Sequence, residues 1–199
     1  SLGQRLGAAG ELGGKPLGFI DGYYRAREKF GAALFCGAIG GSSAVYGGRT
    51  YATEGADGLT VFNTAHTNKV SGQTQSNLFS DAFSVDALSK LETTMQNFRD
   101  DNNNLLSVAP DTILIPNDWE LKKAVFAAIG ADKDPATAYN GYNYQFGRWN
   151  VVVWPYINAL IGSTKPWVLL DSNYNEAYGG AVWLDRIKLT VNTWIDHNT

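Results

Sequence analysis

The chain has 199 residues, 44% of them hydrophobic, enough to bury a core in one domain or one domain with an extension. Charged residues are scarce at 18% and aromatics abundant at 13%, a balance that favours buried interfaces between subunits over a solitary monomer. The net charge is −3 and the only adjacent basic pair is Lys122-Lys123, which excludes the basic stripe of a nucleic-acid groove binder.

No stretch approaches the roughly 18 apolar residues of a membrane span, and no secretory signal opens the chain. The first residues are Ser1-Leu2 and not Met, so the expectation is a processed or excerpted chain. Cys36 has no second cysteine to pair with. It lies in the apolar run Ala32-Ala33-Leu34-Phe35-Cys36, which predicts a buried inert thiol in a reducing compartment.

Residues 1–15 are Gly-rich and weakly patterned. A helical rhythm starts at Pro16, a residue suited to a first turn, and ends at Gly40-Gly41. Leu17, Ile20, Tyr24, Gly31, Leu34, Phe35 and Ala38 would share its inner face. Residues 42–70 read as a β-excursion. Within it, Tyr46-Gly47-Gly48-Arg49-Thr50-Tyr51 predicts a Gly-Gly hairpin, and Asp57-Gly58 predicts a turn before Leu59-Thr60-Val61-Phe62. A polar loop is expected over 71–82.

Ser84 caps the next helix, with Asp86 in its first turn and Val85, Leu88, Leu91, Met95 and Phe98 on one apolar face. Thr112-Ile113-Leu114-Ile115 is a fully apolar run, which predicts a central strand covered on both faces. Asp118 caps a third helix that presents Leu121, Ala124, Val125, Ala128 and Ile129 and stops at Gly130. A loop rich in Asn, Gly and Tyr fills 131–147. Strands are then expected at Asn150–Trp154, Trp167–Leu170, Val182–Leu184 and Ile187–Val191. The predicted class is α+β, with helices on a small mixed sheet.

Chemistry-bearing motifs are missing. Gly10-Glu11-Leu12-Gly13-Gly14-Lys15-Pro16 has the wrong glycine spacing for a phosphate loop, and Pro16 stands where a magnesium-binding hydroxyl would be. Gly37-Ala38-Ile39-Gly40-Gly41-Ser42 follows a helix, not a strand, which argues against dinucleotide binding. One Cys and two distant His residues supply no zinc site. His66 lacks a nucleophile elbow and reads as a hydrogen-bonded loop histidine. The pairs Asp100-Asp101 and Asp132/Asp134 read as solvated turn carboxylates. No catalytic residue, cofactor or metal is expected.

From about residue 45 the order of segments resembles a known family. Tyr46–Tyr51 is followed by Asp57-Gly58-Leu59-Thr60-Val61-Phe62-Asn63-Thr64-Ala65-His66-Thr67-Asn68, then Ser76-Asn77-Leu78, Phe83-Ser84-Val85 and Asp111-Thr112-Ile113-Leu114-Ile115-Pro116. Asn150-Val151-Val152-Val153 and Lys165-Pro166-Trp167-Val168-Leu169-Leu170-Asp171 resemble the paired strands that come next. This succession, over about three quarters of the chain, resembles the HK97-type major capsid proteins of tailed phages, especially the Mu-like head subunits. The resemblance implies an HK97-like fold: an A domain with a mixed central sheet and flanking helices, and a P domain with a long spine helix and strands. The division would be 1–75 (P-domain part with the spine helix and β-excursion), 76–180 (A domain) and 181–199 (return toward the P domain).

It also implies a structural subunit, not an enzyme, that self-assembles through pentamers and hexamers into an icosahedral shell. The shell would enclose DNA without binding it specifically and form in the bacterial cytoplasm. Scaffold, portal or decoration proteins are possible partners; a membrane is not. Relative to that family the chain starts near the spine helix and stops after Trp194-Ile195. The N-terminal arm, the extended loop and a last P-domain strand would lie outside it, which bears on whether this piece assembles alone. Tyr139, Tyr142 and Tyr144 are the candidate subunit contacts, since tyrosine offers a large contact area with a hydrogen-bonding tip. Competing readings are an encapsulin-like compartment with protein cargo, a hydrolase using His66, and a prophage remnant that no longer assembles.

Overall fold

A computed structural model describes residues 2–133, 141–162, 164–180, 182–185 and 189–190; within its first helix, side chains are described from residue 18 to 39. The chain forms two compact units. One comprises Ser1–Glu28 with Ala181–Thr199, the other Lys29–Gly180.

Helix α1 spans Leu2–Gly40, so it begins well before the expected start. Pro16 lies inside it. Proline is favoured in the first turn of a helix, where its missing N–H would have no partner in any case, which is why the residue reads as a helix start from sequence. In the smaller unit Tyr24 is exposed, contrary to its expected inward position. The contacts there centre on Arg27 instead. Its guanidinium lies 4.5 Å from the centre of the Trp183 ring and 3.6 Å from the Asp185 carboxylate. Tyr23 donates to the same carboxylate at 3.1 Å. Residues 182–185 are not a strand as expected but an irregular segment held by these side chains. The strand expected at Ile187–Val191 falls mostly outside the described residues.

In the larger unit the end of α1 packs on a hairpin of β1 (Ser43–Tyr46) and β2 (Arg49–Ala52). Gly47 and Gly48 sit at φ +59° and +74°, the left-handed pair that a two-residue hairpin turn needs. Phe30 meets Tyr46 and Tyr51 edge to face, and Phe35 meets Phe62 and Trp154. Gly37 makes the approach possible: a Cβ there would stand 2.7 Å from the Ala44 Cβ and 2.8 Å from the Ser43 carbonyl oxygen. Cys36 is only half-buried, although desolvation still pushes its thiol pKa up.

The expected polar loop contributes β4 (Thr74–Gln75), which pairs antiparallel with β3 (His66–Thr67). Leu59–Phe62 makes only an isolated bridge, Thr60 with Glu54. Helix α2 (Val85–Gln96) is capped by Ser84, whose Oγ accepts from the Ala87 N–H at 3.0 Å. Helix α3 (Trp119–Ile129) is capped by Asp118, which accepts from the Leu121 N–H at 2.8 Å.

The central sheet has the order β6 (Asn150–Val153), β5 (Thr112–Ile115), β7 (Val168–Leu170). β5 runs parallel to β6 and antiparallel to β7, and all four of its residues are buried, as its composition predicts. β6 and β7, which resemble a paired unit in sequence, are not neighbours. The largely aliphatic β5 takes the place between them, where both of its faces are covered. Ile113 and Ile115 pack with Leu88 of α2 and Leu121, Val125, Ala128 and Ile129 of α3 to form the core. A 3₁₀ turn (Pro155–Ile157), α4 (Asn158–Ile161) and α5 (Ser172–Tyr178) complete the unit; none of these was expected. Asp171 caps α5 by accepting from Tyr174 N–H and also accepts from Ala109 N–H at 2.7 Å. The architecture is α+β.

Candidate functional site

Among the tyrosines singled out by sequence, Tyr139 lies outside the described residues. Tyr142 and Tyr144 sit in Gly141–Gly147, a segment with no charged residue. Here exposure alternates along the chain. Tyr142 (79%), Tyr144 (50%) and Phe146 (45%) face outward, while Asn143 (3%) and Gln145 (0%) are buried. The usual apolar-in, polar-out pattern is inverted.

The inversion has a physical cause in the helices beneath. The last carbonyls of α3 have no partner within the helix. Asn143 Nδ2 donates to the Ala128 carbonyl in the last turn at 2.6 Å and to the Ala131 carbonyl just beyond the helix at 2.9 Å, and its Oδ1 accepts from the Gln145 N–H at 3.0 Å. Gln145 then reaches α2. Its Nε2 donates to Glu92 Oε2 at 2.8 Å and to Ser89 Oγ at 3.3 Å, and its Oε1 accepts from the Trp149 indole N–H at 2.6 Å. Arg148 donates to the other Glu92 oxygen. Glu92 is buried, and an isolated carboxylate there would cost several kcal/mol of desolvation; the arginine and the amide together satisfy it. The Gly147 N–H closes the turn on the Ile129 carbonyl at 3.2 Å, with Gly147 at φ +68°.

The result is a set of outward aromatics on a backbone anchored from inside. Docking such a segment loses little conformational freedom, which raises affinity for a given contact area. The sequence carries the signal as Tyr-Asn-Tyr-Gln-Phe, an aromatic–polar alternation. Without Glu92 and the end of α3 in view, nothing says which half of the alternation turns inward. Two more aromatics missed by the sequence reading, Trp119 and Phe126, are exposed seven residues apart on one face of α3. Lys165 donates to Glu120 and lies 3.2 Å from the Asp118 carboxylate, tying the approach to β7 to the first turn of α3.

The residues considered for chemistry are engaged structurally. His66 Nδ1 lies 2.6 Å from Asp57 Oδ2 and its Nε2 lies 3.2 Å from the Val61 carbonyl, so the ring buckles the Asp57-Gly58 turn to β3. The hydrogen bond from His66, with that from the Leu59 N–H, holds the Asp57 carboxyl below its usual range. Asp100 accepts from the Asn104 and Asn102 N–H groups and is likewise lowered, the Asn104 bond leading. Asp101 accepts from the Lys69 N–H. Asp134 of the second carboxylate pair lies outside the described residues. Among the described residues no group of three or more His, Cys, Asp or Glu is placed to hold a metal ion, and no helix is long and apolar enough to cross a membrane.

Against known proteins, residues 21–196 match a family model described as phage capsid protein. No curated protein and no solved structure matches the chain significantly.

Proposed function

The chain belongs to the phage capsid protein family, a structural and non-enzymatic one, and from that premise we propose that it is the major head subunit of a tailed phage or prophage, of the HK97 type and close to the Mu-like head subunits. The observation that carries this reading is the family match over residues 21–196, nearly the whole chain. In this reading α1 is the spine helix, residues 1–75 belong to the P domain, 76–180 form the A domain and 181–199 return toward the P domain. Copies assemble through pentamers and hexamers into an icosahedral shell in the bacterial cytoplasm and enclose DNA without specific contacts. A net charge of −3 suits an inner wall that must not trap an incoming polyanion. Scaffold, portal and decoration proteins would be its other partners.

A shell subunit must fit more than one symmetry environment. Head-to-tail contacts between different surfaces of one molecule meet that need, and they favour a stiff core with a contact segment at its edge. Tyr142 and Tyr144, with Tyr139 beside them in sequence, are the contacts we assign. The buried Asn143 and Gln145 supply the stiffness. The test is electron microscopy of the full-length gene product expressed in bacteria. Closed shells of uniform size are the expected result, and a product that stays strictly monomeric at high concentration would overturn the reading.

A further inference from the structure

A second surface of the larger unit holds an apolar cleft. A cleft of about 680 Å³ opens beside α2, lined by Phe62, Phe79, Leu91, Met95, Trp167 and Leu169. Its volume falls within the roughly 300–1,000 Å³ of clefts that bury a ligand. The two charged residues on its lining are already engaged: Asp81 pairs with Lys90 at 3.1 Å, and Lys165 pairs with Asp118 and Glu120. With its charges neutralised the cleft suits an uncharged apolar occupant, because a charge placed there would lose water without gaining a partner.

The same chain carries such an occupant in Gly141–Gly147, which is uncharged and exposes three aromatic rings. It cannot fill its own cleft. Gln145 grips α2 at Ser89 and Glu92, whereas Leu91 and Met95 line the cleft. At 100° per residue these two pairs point about 110° apart around the helix axis. The bonds of Asn143 and Gln145 keep the tyrosines on their own flank.

Building on the shell-subunit reading, we propose that the cleft beside α2 receives the Tyr142–Phe146 segment of a second copy, so that copies join head to tail. Knob and hole lie on different surfaces of one chain. The contact is therefore heterologous: it leaves a free knob and a free hole after each addition and propagates until a ring closes.

Complementation tests this with the full chain. One variant loses the knob (Tyr142→Asp with Tyr144→Asp); the other loses the hole (Phe79→Lys). Ala82→Trp is a second hole variant, plugging the cleft from an exposed lining position in case Phe79→Lys fails to fold. Circular dichroism checks each fold, and analytical ultracentrifugation reads the association. The parent chain is expected to form rings or larger assemblies and each variant alone to remain monomeric. An equimolar mixture of a knob variant and a hole variant should give one-to-one dimers that grow no further. Folded variants that assemble like the parent, or a mixture that stays monomeric, would overturn the proposal and leave the cleft to another apolar partner. In either case a parent that still assembles keeps the shell reading intact, whereas a parent that never associates removes that reading itself.

Discussion

Two glycines on α1, six residues apart, should respond to the same substitution with opposite sign. An alanine is intrinsically worth about 1 kcal/mol more than glycine within a helix, before its surroundings are counted. At Gly31 the new Cβ would meet only the Trp154 ring, at 3.8 and 3.9 Å, ordinary contact distances. Gly31→Ala should therefore stabilise the chain by about 1 kcal/mol. At Gly37 the new atom would come within 2.7 Å of the Ala44 Cβ and 2.8 Å of the Ser43 carbonyl oxygen. Relief there requires the helix and β1 to separate, and overpacking of this kind costs about 1–3 kcal/mol. The backbone obstacle puts Gly37→Ala at the upper end, so the clash outweighs the helix gain by about 1–2 kcal/mol. The two variants should differ by about 2–3 kcal/mol, or roughly 5–10 °C in Tm for a chain of this size. Thermal unfolding followed by circular dichroism at 222 nm measures the gap. If Gly37→Ala melts at or above Gly31→Ala, the close approach of α1 to the hairpin is not what holds that glycine in place.

The buried amide network gives a second expectation. Gln145→Leu keeps the bulk but leaves Glu92 Oε2 without its amide donor and the Trp149 indole N–H without its acceptor, while Arg148 still pairs the other oxygen, at a cost of about 2–4 kcal/mol, which urea unfolding should show as a lower midpoint with an unchanged m-value. Acidification gives a third. The Asp57 carboxyl is held low by the His66 hydrogen bond, and that of Asp118 by the Leu121 N–H and then by Lys165. A lowered folded-state pKa means fewer protons bound in the folded chain. The contribution is complete above the unfolded value near pH 4 and disappears as pH falls through the lowered folded value. Asp57→Asn combined with Asp118→Asn, the latter keeping a capping oxygen, should flatten the loss of stability below about pH 4. Parent and variant with equal acid slopes would refute that account.

Much of the local structure follows from short-range chemistry written in the chain. Ser84 and Asp118 mark helix starts because their side-chain oxygens satisfy N–H groups that any helix leaves open. Gly47-Gly48 marks a hairpin because its turn needs two left-handed residues, and Thr112–Ile115 announces a central strand because its three consecutive aliphatic residues would point to both faces of a sheet. Other local signals misled. Pro16 looked like a start and lies inside α1. Val182–Leu184 had strand composition, yet found an arginine and an aspartate in place of a neighbouring strand. Residues 172–178 gave no apolar period to read, because α5 buries none of its own side chains and is held through its Asp171 cap.

The candidate contact surface divides the same way. The aromatic–polar alternation of 142–146 was legible, and so was the suitability of its tyrosines for contact. Which set turned outward was not, since it depended on Glu92, fifty residues earlier, and on open carbonyls at the end of α3. A buried carboxylate and a helix terminus drew the amides inward, and the aromatics took the remaining side. The sequence alone settled where α2, α3, the hairpin and the central strand start, and which residues of β5 and α3 are buried. Only the packed chain decided which polar groups needed partners, and so which rings were left facing water.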